Sequence, residues 1–421
     1  MQGLDIAVIG CGSAGPAAAL LMKRAGHRVR VFERVPELLP VGAGFMLQPT
    51  GLEVLHSLGL LPEIQKHGAP VSRLDCRTYS GRTLLKLDYS EVDPRAYGLG
   101  MHRATLLEVF MAALKDAGIE TELGQDVDEI EVDSAGKATL LIGERRTGPF
   151  DMVVCCDGAR SQLRAAHGPK YRADVYPWGA FWYICEDPNG VFDGRLSQVV
   201  RGSRQMLGML PTGRTLDDPT PLVSVFWSVA LAKADEVRAA GLQAFKDTLV
   251  GLCPEVEPLV AQLDSLDHVT LARYMDVRMK PWHRGPVVFI GDSAHATSPQ
   301  LGQGVNLALV DAMALSTCLS ETMEVPLALK AYHRVRRNHL AYYQLTTRWL
   351  TPFFQSDSKV LGWTRDLVFP MLGMLGPLRR QMVRTMCGVK RGFIRKSMPL
   401  PILALEAPKN EALSVLAETE P

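Results

Sequence analysis

The most constraining feature of this chain lies at its beginning. Leu4-Asp5-Ile6-Ala7-Val8-Ile9 is an apolar run rich in β-branched residues, and Gly10 closes it. Gly10-Cys11-Gly12-Ser13-Ala14-Gly15 follows, a G-x-G-x-x-G, and Pro16 to Arg24 then reads as an Ala/Leu/Met-rich helix with Gly26 at its end. A second strand, Arg28 to Phe32, runs into Glu33. Strand, glycine turn, helix and strand in this order specify a parallel βαβ unit. Gly10 permits the tight turn, Gly12 lets a pyrophosphate approach the main chain, and Gly15 lets helix and strand pack closely. With Ser13 and Ala14, the helix start offers free N–H groups to phosphate. Glu33 stands 23 positions after Gly10, where a carboxylate bonds both ribose hydroxyls and repels a 2′-phosphate. The tightly held nucleotide is therefore expected to be FAD or NAD, with Arg34 as a further candidate contact.

Two signatures follow far downstream. Phe150-Asp151-Met152-Val153-Val154-Cys155-Cys156 reads as a buried strand leading into Asp157-Gly158-Ala159-Arg160-Ser161. Pro286-Val287-Val288-Phe289-Ile290 forms another, ending in Gly291-Asp292-Ser293-Ala294-His295, and Pro299-Gln300-Leu301-Gly302-Gln303-Gly304-Val305-Asn306 precedes a helix-like Leu307–Leu319. Taken together over about residues 1–345, the three segments resemble the class A flavoprotein monooxygenases, whose type member is para-hydroxybenzoate hydroxylase. That family carries the same G-x-G-x-x-G, D-G, and G-D with P-x-x-G-x-G-x-N in this order.

The resemblance implies an α/β fold: a Rossmann-like FAD domain, an inserted antiparallel-sheet substrate domain and a C-terminal helical region. It implies bound FAD, with NADPH or NADH as a transient reductant and dioxygen as co-substrate. The expected reaction is hydroxylation or epoxidation of a small aromatic or apolar compound through a flavin C4a-hydroperoxide. Gly291 and Asp292 would serve the ribityl chain. Pro299, Gly302, Gly304, Val305 and Asn306 would set a helix start beneath the pyrimidine edge, where negative charge develops on reduction. Arg103, opening a helix after His102, would reach FAD phosphate or ribose, and Asp157 with Arg160 would hold both FAD and the passing nicotinamide. The expected segments are 1–75, 100–170 and 275–345 for the FAD domain and 76–99 and 171–274 for the substrate domain. Residues 346–421 form the C-terminal region and tail.

Between the second and third signatures, strand-like pieces carry aromatics: Trp178–Ile184, Gln205–Leu210 and Leu222–Trp227. Trp182, Met206, Met209, Phe226 and Trp227 are candidate pocket walls, although sheet core has the same composition. No substrate acid or base stands out, and the catalytic residues stay unassigned. His295 reads as a hydrogen-bonding residue at a strand-to-helix turn. Oxygen transfer to an electron-rich substrate asks chiefly for a dry, positioned site. Further on, Leu378, Met382 and Met386 recur at four-residue spacing among arginines. They read as a helical subdomain packed on the FAD domain, with a basic amphipathic surface for membrane contact as the alternative. Glu406 to Pro421 reads as a mobile tail.

Composition removes other classes. With 46 Lys+Arg against 45 Asp+Glu in 421 residues, the chain lacks a nucleic-acid binder's basic excess. At 47% hydrophobic and 22% charged residues it is no disordered chain. No window reaches the ~18 continuous apolar residues of a membrane span. The 8 scattered cysteines form no C-x-x-C, so no metal is expected and a reduced, cytoplasmic protein is the simpler reading. Leu4–Ile9 reads as a strand and not as a signal peptide. A monomer or homodimer is expected. Three alternatives stay open: a flavin-dependent halogenase, an oxidase of the same fold, and a flavin-free binder like the prenyl-carrier relatives. Against the first, Trp178 and Trp182 are four apart and Cys185 follows Ile184, which breaks W-x-W-x-I-P. Against the last, Gly291-Asp292 and Gly302–Asn306 are intact.

Overall fold

The computed structural model describes residues 2–38, 43–393 and 397–400. Arg395, Lys396 and the Glu406–Pro421 stretch lie outside the described residues. Among those described, a six-stranded sheet runs in the order His283–Arg284, Val287–Phe289, Met152–Cys155, Asp5–Ile9, Arg28–Glu33, Glu120–Leu123. All its pairings are parallel except the short His283–Arg284 edge. Ile6, Ala7 and Val8 are wholly buried at its centre, as a parallel sheet covered on both faces requires. The Ala14–Arg24 helix packs here against the Gly304–Glu321 helix, and its buried Ala17, Ala18 and Ala19 keep the approach close.

A nine-stranded sheet lies beside it, in the order Thr270–Met279, Tyr171–Glu186, Leu222–Ala230, Gln205–Gly213, Gly194–Arg201, Ala69–Thr78, Gly98–His102, Gly44–Leu47, with Thr83–Asp88 paired to Ala69–Thr78. Strand alternation gives this sheet two apolar faces. One carries Phe181, Tyr183 and Trp227 onto Phe245 and Leu249 of the Gly241–Leu252 helix. The other carries Met206, Leu210 and Phe226 toward an internal chamber. Two expected boundaries differ. Gly44–Leu47, inside the 1–75 range assigned to the FAD domain, and Ala69–Thr78, which runs across its end, are both strands of this second sheet. Residue 345 falls inside one continuous helix, Val325–Leu350, because its apolar face stays buried across that point.

Candidate functional site

At one end of the site the strand Asp5–Ile9 runs into the glycine turn. Gly10 has φ +101°, and a Cβ there would stand 2.6 Å from the Cys156 carbonyl oxygen. A Cβ on Gly15 would stand 1.9 Å from the Gly10 carbonyl oxygen. Both positions exclude a side chain because main chain already fills the space. Gly12 differs: a Cβ there would meet nothing within 4 Å, so the space above it is open. The helix beginning at Ala14 has no side-chain cap from Ser13, which leaves its first N–H groups free for a ligand. Glu33 accepts the Cys11 N–H at 2.6 Å and the Val35 N–H at 3.0 Å, so its carboxylate is held beside this loop. Arg34 projects into solvent.

The three signatures meet here. The Cys156 N–H donates to the Ile9 carbonyl at 2.7 Å, and the Cys155 carbonyl accepts from Ile290 N–H at 3.1 Å and Ser293 Oγ at 2.8 Å. Asp157 follows with one carboxylate oxygen buried and unpartnered, and burial raises its pKa above the usual carboxylate value. Arg160 is exposed. Arg164, which the sequence reading passed over, is buried and donates to the Ser293 carbonyl at 2.8 Å and the Ala159 carbonyl at 2.7 Å. It ties the second signature to the third.

The other end is a chamber of about 710 Å³. Arg103, Asp292, Pro299, Gly302, Gly304 and Val305 line one side. The Gly304–Glu321 helix starts there without a side-chain cap. Asn306 is turned away from the chamber. Its Oδ1 accepts the Gln48 N–H at 2.8 Å, and its Nδ2 donates to the Met46 carbonyl at 3.0 Å. The side-chain amide is used in joining Met46–Gln48 to this helix, which leaves Asn306 only its main-chain N–H, in the uncapped first turn, to offer to a ligand. Gly291 donates its N–H to Asp311 at 2.9 Å.

Of the five candidate walls, Trp182, Met206 and Phe226 line the chamber. Trp182 stacks on Phe226 with centroids 4.7 Å apart, and its Nε1–H donates to the Tyr274 hydroxyl at 2.9 Å. Met209 and Trp227 do not line it. They stand on the opposite face of the sheet, where Trp227 stacks on Phe181 at 6.1 Å and meets Phe245 at 5.6 Å. Period-two alternation is the reason. Trp227 adjoins Phe226, and Met209 stands three residues from Met206, so each falls on the other side. The sequence reading also missed the roof. Leu350, Phe354, Phe369, Leu378, Met382 and Met386 complete the walls, together with Lys390, whose ammonium donates to Gln381 Oε1 at 2.7 Å. Burial, then the Arg384 charge, holds the Lys390 pKa below its usual value.

Beneath the Gly291 turn lies a buried charged chain. His295 donates to Asp311, Arg336 Nε donates to the same carboxylate at 2.7 Å, and Arg336 also donates to His339 Nδ1. His339 Nε2–H then reaches the Gly388 carbonyl at 2.7 Å. Burial pushes the Asp311 carboxyl up, but His295 and Arg336 outweigh it and hold the group well below the usual range. His339 is pushed down to about 3 by burial and then by Arg336, and so stays neutral. His295 is thus a hydrogen-bonding residue, as its position after a strand suggests.

The comparisons with known proteins fit this geometry. A family profile described as "FAD binding domain" matches residues 3–343. The "Probable 2-heptyl-3-hydroxy-4(1H)-quinolone synthase AqdB2" of Rhodococcus erythropolis is 28% identical over 346 residues, covering 81% of this chain and 86% of its own. The "Aurachin C monooxygenase/isomerase" of Stigmatella aurantiaca is 25% identical, covering 88% of this chain and 94% of its own. Among solved structures, Klebsiella pneumoniae HpxO complexed with FAD and uric acid aligns with a TM-score of 0.77 at 21% identity, over 92% of this chain and 98% of that one. That likeness is one of fold.

Proposed function

The chain belongs to the FAD-binding-domain family, as a class A FAD-dependent hydroxylase, and from that premise we propose that it inserts one oxygen atom of dioxygen into a neutral, largely apolar aromatic substrate, with NADPH or NADH as reductant. We infer a fused-ring compound bearing an aliphatic chain. The chamber carries this reading. Of about 710 Å³, it has among the described residues charged side chains only at Arg103 and Asp292 on one side and Lys390 at the roof; the rest of the lining is predominantly aromatic and aliphatic, with uncharged polar groups such as Gln198, Ser228, Thr270 and Gln355 interspersed. The heptylquinolone named for the Rhodococcus relative is of that kind.

In this reading Gly10, Gly12, Ser13, Ala14 and Gly15 hold the FAD pyrophosphate against free N–H groups, and Glu33 bonds the ribose. The open space at Gly12, the free helix start and the unpartnered Asp157 oxygen support the fit. Arg34 and Arg103 contribute positive charge, Gly291 and Asp292 serve the ribityl chain, and the Gly304–Val305 helix start faces the ring. When bound, FAD supplies hydride acceptance from NAD(P)H and activation of dioxygen. The chain's own residues do the rest. Trp182, Met206, Phe226 and the C-terminal helices exclude water, and the uncapped N–H groups at Gly304 offer donors to developing negative charge. Tyr274 keeps its proton, its pKa pushed up to about 12 by burial. With its oxygen accepting from Trp182, its O–H is free to donate to a substrate oxygen.

The test is a screen of alkyl-substituted quinolones and related fused aromatics for compounds that accelerate NAD(P)H oxidation, followed by mass spectrometry under labelled dioxygen. One labelled oxygen atom in the product is expected. Stoichiometric hydrogen peroxide with unaltered substrate would sink the reading and favour an oxidase.

A further inference from the structure

The Leu378, Met382 and Met386 stripe, for which a membrane surface is the alternative reading of the sequence, faces the chamber. The outward apolar face belongs to the Lys359–Met374 helix. Val360, Trp363, Leu367, Met371 and Met374 recur there at spacings of three and four and are 60% to 81% exposed. Monomeric proteins rarely leave so large a contiguous apolar patch in water without a use for it. The helix is pinned with this face outward. Arg365 on its inner side is fully buried, donating to the Gly202 carbonyl at 2.9 Å and the Phe353 carbonyl at 3.0 Å. Rolling the helix to hide the stripe would strand that guanidinium.

The stripe adjoins the chamber's mouth. Trp349 and Phe393 line the chamber and are themselves mostly exposed. The Trp349 ring lies 6.4 Å from Phe353, which lies 5.7 Å from Phe369 on the same helix. These rings link the exposed mouth residue Trp349 to the inner side of the helix that carries the stripe. Just beyond it, in the Gly376–Met386 helix, Arg379 is paired with Glu91 at 2.7 Å. Arg380 and Arg384 are exposed and have no ion-pair partner among the described residues. Two uncompensated cations one turn apart beside an apolar face suit anionic headgroups over acyl chains.

We propose that this face seats the protein peripherally on an anionic lipid bilayer, so that the chamber opens toward the acyl layer. Among the described residues no helix is long and apolar enough to cross a membrane, so the contact is one of surface. A tryptophan within the stripe, Trp363, is suited to the headgroup boundary. A second copy of the chain on the same face would stopper the mouth, whereas a bilayer would feed it. Entry of an apolar substrate by this route rests on the proposed function; the docking does not.

The full-length, FAD-loaded protein is tested by flotation with phosphatidylcholine vesicles, with and without phosphatidylglycerol. The native chain should float with the anionic vesicles. W363S/L367S should lower that partition by at least about tenfold. R380Q/R384Q should bring anionic binding down to the neutral-vesicle level. Both variants should keep native flavin content, since none of the four residues lines the chamber, and W363S/L367S should also keep native NAD(P)H turnover in detergent. A native chain that stays unbound on every vesicle would overturn the proposal. So would light scattering that finds a native dimer which W363S/L367S converts to a monomer, since the stripe would then belong to a second copy. Failure of the functional reading is separate: flotation would persist while no compound stimulates turnover.

Discussion

The glycine turn and the chamber sit at opposite ends of one site and are built on different terms. The turn is main chain against main chain, with Gly10 and Gly15 pressed on carbonyl oxygens of Cys156 and Gly10. The chamber is side chain against side chain, walled by segments from Ala43 to Phe393 that approach only after folding. A rigid backbone cradle suits a ligand of constant shape, such as a diphosphate. Walls of Met, Leu and aromatic rings adjust by rotamer and volume, which suits the part of the site that selects a substrate. The end whose Gly10 and Gly15 accept no added atom and the end that can be resized are thus distinct.

Substitutions sharpen that contrast. The largest effect is expected at Gly15→Ala, where the new methyl would overlap the Gly10 carbonyl; the protein should purify colourless with a lowered melting temperature. Gly12→Ala should leave the apoprotein's melting temperature unchanged while weakening FAD retention by about tenfold or more, because its methyl obstructs only the ligand. If the two variants melt alike, Gly12 is not reserved for phosphate. Next is the buried chain that joins the two ends. Arg336→Met leaves the Asp311 carboxylate without its guanidinium and should cost about 3–5 kcal/mol in denaturant unfolding.

On the chamber side, Trp227→Ala should cost about 3–5 kcal/mol of stability by opening a cavity in the sheet's far face. Trp182→Ala should act mainly by raising KM for the stimulating substrate. Equal kinetic effects from both would contradict the assignment of the two faces. Asp292→Ala should weaken FAD binding by about 1.5–3 kcal/mol, read by fluorescence on titration of the apoprotein.

Per unit of pH, the smallest effect is that of His339. His339 titrates at about 3 in the folded chain against an ordinary 6.5. The unfolded chain therefore binds a proton that the folded chain refuses, and stability is complete above about 6.5 and declines as pH falls toward 3. The decline contributed by this group is at most about 1.4 kcal/mol per pH unit. His339→Gln should flatten the slope in that window, while Asp311 adds its own loss only in stronger acid. A native unfolding free energy flat from neutral pH to mild acid would remove His339 from this role.

Much of the nucleotide end was legible because its information is contiguous. A strand's apolar run, three glycines at fixed offsets and a terminal carboxylate stand within Leu4–Glu33, and each constrains local backbone geometry. The two faces of the nine-stranded sheet were legible in principle as well: Phe226 and Trp227 are neighbours and must point oppositely, a regularity that the grouping of both as pocket walls overlooked.

What the residues determined alone, then, is the βαβ cradle, the alternation of each strand and the amphipathic spacing of each helix, since these depend on neighbours within a few positions. Tertiary structure decided which apolar face is used and how. It turned Leu378, Met382 and Met386 inward as a roof and left Trp363 and Leu367 in water. It also joined His295, Asp311, Arg336 and His339 into one buried chain. Periodicity marks a face as apolar, but its partner is chosen by segments hundreds of residues away, and by the need to satisfy each buried charge where they meet.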